Sequence, residues 1–341
     1  MSGHATNPTT AERPTTAQGS ANARVSDRAV CVEASARLHL GVLDLRGERG
    51  RWFGGLGAAA ASPSLLVSVR PSATVSVEGE DAARAEAFAR RFLAHHNLPC
   101  GVAIRVHRAL PPHAGLGSGT QLALSVARAI AELYDVDRHA PALTRAVGRA
   151  RRSAIGTWTF ERGGLVVEGG RHRDRDTCGP LVARLPFPPA WRCVLAVPDA
   201  PPGLSGAEEE TALSSLPSPS ERDVERVAHL VLMALLPALA DADLEAFGRA
   251  LDEIQDVTGR WFTTVQGGTF ARGPSADLVR RLRDWGAVGV GQSSWGPAVY
   301  GVVDGDEAGR RLADRVRSVL GPGGQVYAGP FRSEGARVWR D

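Results

Sequence analysis

Apolar residues along this chain fall into short alternating runs and longer stretches with a period near 3.6, and the two patterns predict different elements. Ala29 to Val32 predicts a short strand, and Leu65 to Val69 and Thr74 to Val77 predict two more by alternation and β-branching. Ala82 to Asn97 reads as a helix and Gly101 to Val106 as a strand. Ser118 to Tyr134 reads as a helix striped by Leu122, Val126, Ile130 and Leu133. The prolines Pro186, Pro188 and Pro189 precede a second segment that opens on the strand Cys193 to Val197. Helices are predicted there over Glu221 to Ala240, Asp243 to Gln255, Ala276 to Trp285 and Glu307 to Leu320. Strands are predicted into the turn Gly289 to Gly296, over Ala298 to Val303 and over Gln325 to Ala328. Strands and helices mix without strict βαβ alternation, and no solenoid period recurs, so the expected class is α+β in two domains, 28–188 and 189–341. Residues 1–27 are rich in Thr, Ala, Ser, Pro and Gly, with too little apolar surface to offset their ordering entropy, and are expected to be a disordered tail.

The length of 341 residues suits two domains of about 150 residues. Hydrophobic residues at 43% and charged residues at 23% are ordinary for a soluble globular chain. Forty basic against 37 acidic residues leave a net charge of +3, which implies no nucleic-acid partner. Every basic residue is arginine; the chain has no lysine. A Walker-type phosphate loop and Schiff-base chemistry both need one, so both are excluded. Cys31, Cys100, Cys178 and Cys193 lie far apart at no zinc spacing and read as small buried hydrophobes in a reducing compartment. No window reaches the ~18 apolar residues of a membrane span. The best run, Val227 to Leu239, is broken by His229 and Pro237. No charged and apolar leader opens the chain, so a cytoplasmic protein is expected.

The sharpest local feature is Pro111-Pro112-His113-Ala114-Gly115-Leu116-Gly117-Ser118-Gly119-Thr120-Gln121, between a predicted strand and a predicted helix. Glycines let the backbone approach a ligand closely. The helix start beyond them offers unpaired N–H groups and a partial positive charge, so a phosphate or pyrophosphate is the natural guest. A plain connection is the alternative, since Ser118 and Gln121 have the spacing of a capping box that would use two of those donors.

The segment Pro111 to Ser118 resembles the phosphate-binding motif of the GHMP superfamily, the galactokinase, homoserine kinase and mevalonate kinase group. Gly289 to Pro297 resembles that superfamily's third, glycine-rich motif. The resemblance implies an N-terminal domain like the second domain of ribosomal protein S5, a ferredoxin-like C-terminal domain, and a site in the cleft between them. In the superfamily's kinases a Ser-Gly-x-Asp stretch supplies a carboxylate for the acceptor hydroxyl. The matching stretch here is Arg152 to Thr157, and the carboxylate position falls on Gly156. The loop's second serine, near the metal in kinases, is Gly119. Asp174 or Asp176 are conceivable substitutes, but the polar run Arg171 to Arg175 beside them reads better as a solvated loop.

These departures resemble one branch, the β-ribofuranosylaminobenzene 5′-phosphate synthases of the methanopterin pathway. The likeness is carried by Ala36 to Leu45, Gly50 to Gly57, His113 to Gln121, Arg152 to Thr157 with Gly163-Gly164, Pro201 to Gly206, and Gly291 to Gly301. It implies a homodimer that joins phosphoribosyl pyrophosphate to 4-aminobenzoate or 4-hydroxybenzoate, with Mg²⁺, releasing pyrophosphate and CO2. Such chemistry needs anion stabilisation at the leaving group, a stabiliser for the cationic sugar carbon and a clamp for the benzoate, but no lysine and no base aimed at a hydroxyl. The expected phosphate contacts are His113, Gly115, Leu116, Gly117, Ser118, Gly119 and Thr120. Arg51 is expected to fork onto a phosphate or carboxylate, and Asp44 to bind Mg²⁺ or steady the developing charge. Arg37, His39, Gln292, Ser293, Ser294 and Trp295 are expected to line the substrate site. Plain alternatives stand beside these: an Arg51–Asp44 ion pair, a core role for Trp295 or His39, a solvent-facing His113, and packing for Trp52 and Phe53. An ATP-dependent GHMP kinase and a silent GHMP-fold sensor are the rival functions.

Overall fold

A computed structural model of the chain describes residues 28–150, 152–175 and 177–341. The expected tail and Asp176 lie outside the described residues. The first half runs β1 (Val30–Asp44), β2 (Arg51–Ser72), β3 (Ser76–Gly79), α1 (Ala82–His95), β4 (Gly101–Arg108), α2 (Ser118–Tyr134), α3 (Ala140–Ala146), α4 (Ile155–Arg162), β5 (Leu165–Glu168), β6 (Arg171–His172) and β7 (Leu181–Leu185). Next come β8 (Trp191–Val197), α5 (Gly206–Ser215), α6 (Glu221–Leu230), α7 (Leu236–Ala240), α8 (Leu244–Trp261), α9 (Thr263–Gln266) and α10 (Pro274–Asp284). The chain then forms β9 (Val288–Gln292), β10 (Val299–Asp304), α11 (Asp306–Leu320), β11 (Gln325–Pro330) and β12 (Arg337–Arg340).

Two sheets carry the helices, and the class is α+β, as expected. The larger sheet has the order β12-β1-β2-β4-β3, with β5 and β6 paired to β2 and β7 to β5. Its spine is the long antiparallel pair β1–β2, running from Val30 opposite Val69 to Asp44 opposite Phe53. The smaller sheet, β11-β8-β10-β9, is antiparallel throughout. Gln325 to Ala328 was the last strand the pattern predicted, yet β12 follows it and returns to the first sheet, placing Arg340 opposite Val30.

The predicted stripe of α2 is buried, with Leu122, Val126 and Ile130 fully enclosed. Ala123, Leu124, Ala127 and Ala131 are enclosed as well, because α2 lies between β1 and β2 on one side and α1, α3 and α4 on the others. Burying each large aliphatic side chain there is worth about 1.5–3 kcal/mol, so the position of α2 is strongly determined. The helix predicted over Glu221 to Ala240 contains a π-helical stretch, Val231–Leu235, where the Leu236 amide reaches back five residues to the Val231 carbonyl. Pro237 follows directly and lacks the N–H a regular helix would use, which favours this widened turn. Among the described residues no helix is long and apolar enough to cross a membrane. Cys31 and Cys193 are buried, Cys100 and Cys178 half-buried, and all four are unpaired.

Candidate active site

The glycine loop ends where α2 begins, and its geometry decides between the two readings of that turn. Gly117 precedes the helix in the left-handed region at φ 72°, and no side chain caps it. The capping box therefore does not form: the Gln121 side chain instead donates to the Gly156 carbonyl at 3.0 Å. The amides of Thr120 and Gln121 donate to the Gly117 carbonyl, at 3.0 and 2.9 Å, and those of Ser118 and Gly119 stay available to a guest, as an anion site requires. Gly115, at φ 80°, lies so close to the Ser293 carbonyl that any Cβ there would collide with it.

A second group of bonds staples this loop to the smaller sheet. Ser293 is fully buried; its Oγ donates to the Gly115 carbonyl at 2.7 Å and accepts from the His39 amide at 3.0 Å. Arg37 donates its own amide to the Leu116 carbonyl at 3.0 Å and Nη1 to the Gly115 carbonyl at 3.3 Å, while its buried Nε has no partner. Desolvation, eased by Glu209 and deepened by Arg149, brings the Arg37 guanidinium down to about 10. Burial, with Arg37 nearby, pulls His39 down to about 3, so its ring is neutral at working pH.

Two cavities meet at this junction and share Arg37, Arg152, Ser153, Glu209 and Ser294. The first, about 400 Å³, is bounded by the glycine loop, His113, Arg84 and Arg149. A Cβ on Gly119 would crowd the Arg84 guanidinium and lie 3.1 Å from Arg149 Nη2. Two cations thus stand where the kinase loop carries its metal-side serine. The second cavity, about 120 Å³, has Phe53, Phe262, Phe270 and Trp295 in its walls. Trp295 sits edge-on to Phe262 at 5.1 Å and donates its indole N–H to Glu209 Oε1 at 3.2 Å. Glu209 also pairs with Arg152 and is the one carboxylate lining either cavity among the described residues. Phe53, His113 and Ser294, all at this site, hold positive φ without being glycine, a local strain that tends to cluster at functional sites.

The sequence-chosen residues divide accordingly. His113, Gly115, Leu116, Gly117, Ser118, Gly119 and Thr120 all bound the loop cavity, with the Leu116 side chain in the core and only its backbone turned toward the loop. Arg37, His39, Gln292, Ser294 and Trp295 line the aromatic cavity. Gln292 spends its amide inside the fold, accepting from Ala271 N at 2.8 Å and donating to Gln266 and Ser294. Arg51, Asp44 and the fully buried Ser293 line neither cavity. Asp44 closes the β1–β2 turn by accepting from the amides of Arg46 at 2.6 Å and Gly47 at 3.1 Å. Arg51 donates to the Gly170 carbonyl at 2.9 Å and meets His172 Nε2 at 2.9 Å. Among the described residues the two form no ion pair, and no group of three or more acidic, His or Cys side chains is placed to hold a metal. Arg84, Arg149 and Glu209 were missed. Two of them are arginines among 40 basic residues with no motif to mark them, and Glu209 sits in a run of three glutamates that gives no sign of which one turns inward.

Gly156, the position of the kinase carboxylate, lies in the first turn of α4 against α2. A Cβ there would be 2.9 Å from Thr120 Cγ2, so any side chain at this position would need Thr120 to move.

A glycine loop feeding a buried helix, stapled to a second antiparallel sheet, defines a protein of the GHMP kinase class. The GHMP kinases N terminal domain matches residues 83–158, and the GHMP kinases C terminal domain matches residues 235–321. Among solved structures, homoserine kinase from Cytophaga hutchinsonii superposes with a TM-score of 0.68 at 19% identity, over 92% of this chain and 98% of that one. Mevalonate diphosphate decarboxylase from Staphylococcus aureus superposes at 0.61 and 13% identity, over 92% and 98%. Both show a shared fold. The β-ribofuranosylphenol 5′-phosphate synthase of Methanothermobacter thermautotrophicus is 36% identical over 331 residues, spanning 89% of this chain and 97% of the relative. The enzyme of the same name from Archaeoglobus fulgidus is 35% identical, spanning 82% and 90%. The chain belongs to the β-ribofuranosylphenol 5′-phosphate synthase family.

Proposed function

We propose that this protein is a decarboxylating phosphoribosyltransferase that joins phosphoribosyl pyrophosphate to a para-substituted benzoate, as in methanopterin biosynthesis. One observation carries the reading. An arginine-lined glycine-loop cavity opens at Arg37 and Arg152 into a small aromatic pocket, while the kinase carboxylate position is occupied by Gly156, packed against Thr120. The family supports it, and the relatives' name, a ribofuranosylphenol, makes 4-hydroxybenzoate the acceptor to test first.

The reaction follows from the two cavities. The first amides of α2, with Ser118, Thr120, Arg84 and Arg149, hold the pyrophosphate and stabilise it as it leaves. The bond from the sugar's C1 to pyrophosphate breaks, and the ring carbon bearing the carboxylate attacks C1, pushed by the para hydroxyl or amino group. The carbon–carboxylate bond then gives its electron pair back to the ring, aromaticity returns and CO2 departs. Phe53, Phe262 and Trp295 hold the ring flat and keep water from the cationic carbon. Glu209, between the cavities, faces the developing positive charge. Arg37 and Arg152 orient the carboxylate. Magnesium usually takes one or two carboxylates plus substrate phosphates, and Glu209, the carboxylate beside the pyrophosphate cavity, would supply one on release from Arg152. When bound, the ion would neutralise charge on the leaving group.

The test is incubation with phosphoribosyl pyrophosphate, Mg²⁺ and carboxyl-labelled 4-hydroxybenzoate or 4-aminobenzoate. Label released as CO2 in equal amount to pyrophosphate is expected; ADP formation from ATP without label release would overturn the reading. Glu209→Gln is expected to lower kcat by about a hundredfold. Asp44→Ala should leave kcat/KM within about threefold, as a half-buried turn residue outside both cavities would. A cytoplasmic homodimer is the expected state, which light scattering checks.

A further inference from the structure

Beyond the aromatic pocket runs an open groove of about 1140 Å³, which shares Leu45, Phe53, Arg152 and Leu213 with that pocket and Arg152 and Gly206 with the loop cavity. Its wall carries a built platform. The Arg173 guanidinium stacks 4.2 Å from the centre of the Trp52 ring, and Arg171 lies 5.8 Å from the rings of both Trp52 and Phe53. The indole is pinned by its N–H to the Arg46 carbonyl at 3.1 Å and lies across Gly47, where any Cβ would overlap it. Strand β6 sets Arg171 directly opposite Trp52. Arg51 holds β6 in place from behind through Gly170 and His172.

Among the described residues neither Arg171 nor Arg173 has a carboxylate partner; Arg171 donates Nη1 to the His172 carbonyl at 3.4 Å, and its buried Nε has no hydrogen bond. Glu210 is the one acidic residue lining the groove. Stacking uses the flat face of a guanidinium and leaves its edge N–H groups free, and that edge matches two phosphate oxygens. A phosphorylated donor sugar has two anionic ends: a pyrophosphate on C1 and a phosphate monoester on C5. The glycine loop takes the first. We propose that the Trp52–Arg171–Arg173 platform is a second anion site, which takes the C5 phosphate monoester of the donor and later of the product. The proposal rests on the phosphoribosyl-transfer reading above. It assigns the groove to the sugar's far end and the route of product release.

The test uses the full chain and an Arg171→Gln, Arg173→Gln double variant. With pyrophosphate saturating, ribose 5-phosphate is expected to raise the melting temperature of the wild type further but not that of the variant. Pyrophosphate alone should protect both equally. Inorganic phosphate competing with ribose 5-phosphate would mark a general phosphate monoester site. In steady state the variant's KM for phosphoribosyl pyrophosphate should rise on the order of tenfold or more, with the KM for the benzoate unchanged. An unaltered donor KM, or a ribose 5-phosphate shift absent in the wild type, overturns the proposal. Loss of the pyrophosphate shift in the variant does so too, by exposing a structural role. A wild type that protects with ribose 5-phosphate yet never releases pyrophosphate from the donor would instead overturn the reaction reading and leave the anion site standing.

Discussion

Glu168 and His39 are titratable groups that burial has moved in opposite pH directions. Glu168 is fully buried and accepts from the amides of Ala154 at 3.2 Å and Gly170 at 2.8 Å. Burial dominates these donors and pushes it up from 4.5 to about 7. The folded state thus binds an extra proton between those values, and the contribution, full below 4.5, is lost as pH rises through 7. His39 works the other way: its contribution is full above 6.5 and lost as pH falls through about 3. Glu168→Gln should therefore fare better against wild type at pH 8 than at pH 5 when urea midpoints are compared; an equal difference at both would refute the assignment. Some single residues were legible in the chain. Gly115 and Gly117 advertise positive φ and close approach by being glycine, and Gly156 advertises a missing carboxylate. Glu209 was not legible, because one glutamate of three turns inward only once α5 is set beside Trp295.

At the scale of elements, α5 differs from its neighbours. It buries Ala212 alone, and Glu209 ties it to the site through Arg152 and Trp295. An element with so little apolar burial opens at low free-energy cost. Hydrogen exchange in α5 is expected to be far faster than in α2 and to slow when pyrophosphate and 4-hydroxybenzoate bind together; equal protection of the two helices in the free protein would contradict this. Long elements with a clear period, such as α2, α8 and α11, were readable from sequence. The eight residues of α4 include a glycine and two threonines, and β12 alternates nothing apolar, so neither announces itself. They exist because each finds a surface already formed: Gly57 of β2 leaves space for Ile155 of α4, and β1 offers β12 an open edge.

Across the whole molecule, a net charge of +3 is modest, but Arg37, Arg84, Arg149 and Arg152 converge on one cavity. Their attraction for a multiply charged donor is screened by salt, so the KM for phosphoribosyl pyrophosphate should rise steeply between low salt and about 0.5 M, and that for the singly charged benzoate far less. Equal slopes would argue against the arginine cavity as the donor site. Removal of residues 336–341 should lower the melting temperature, since β12 closes the edge of the larger sheet at β1. The amino-acid sequence by itself determined the class of fold, the glycine loop, the exclusion of lysine chemistry and the missing carboxylate, because these depend on residue type and local spacing. Which arginines and which glutamate face the cleft, and where Arg51 and Asp44 sit beside it, only the tertiary structure decided. Side chains far apart along the chain meet through the packing of two sheets and α2, and no local pattern encodes that meeting.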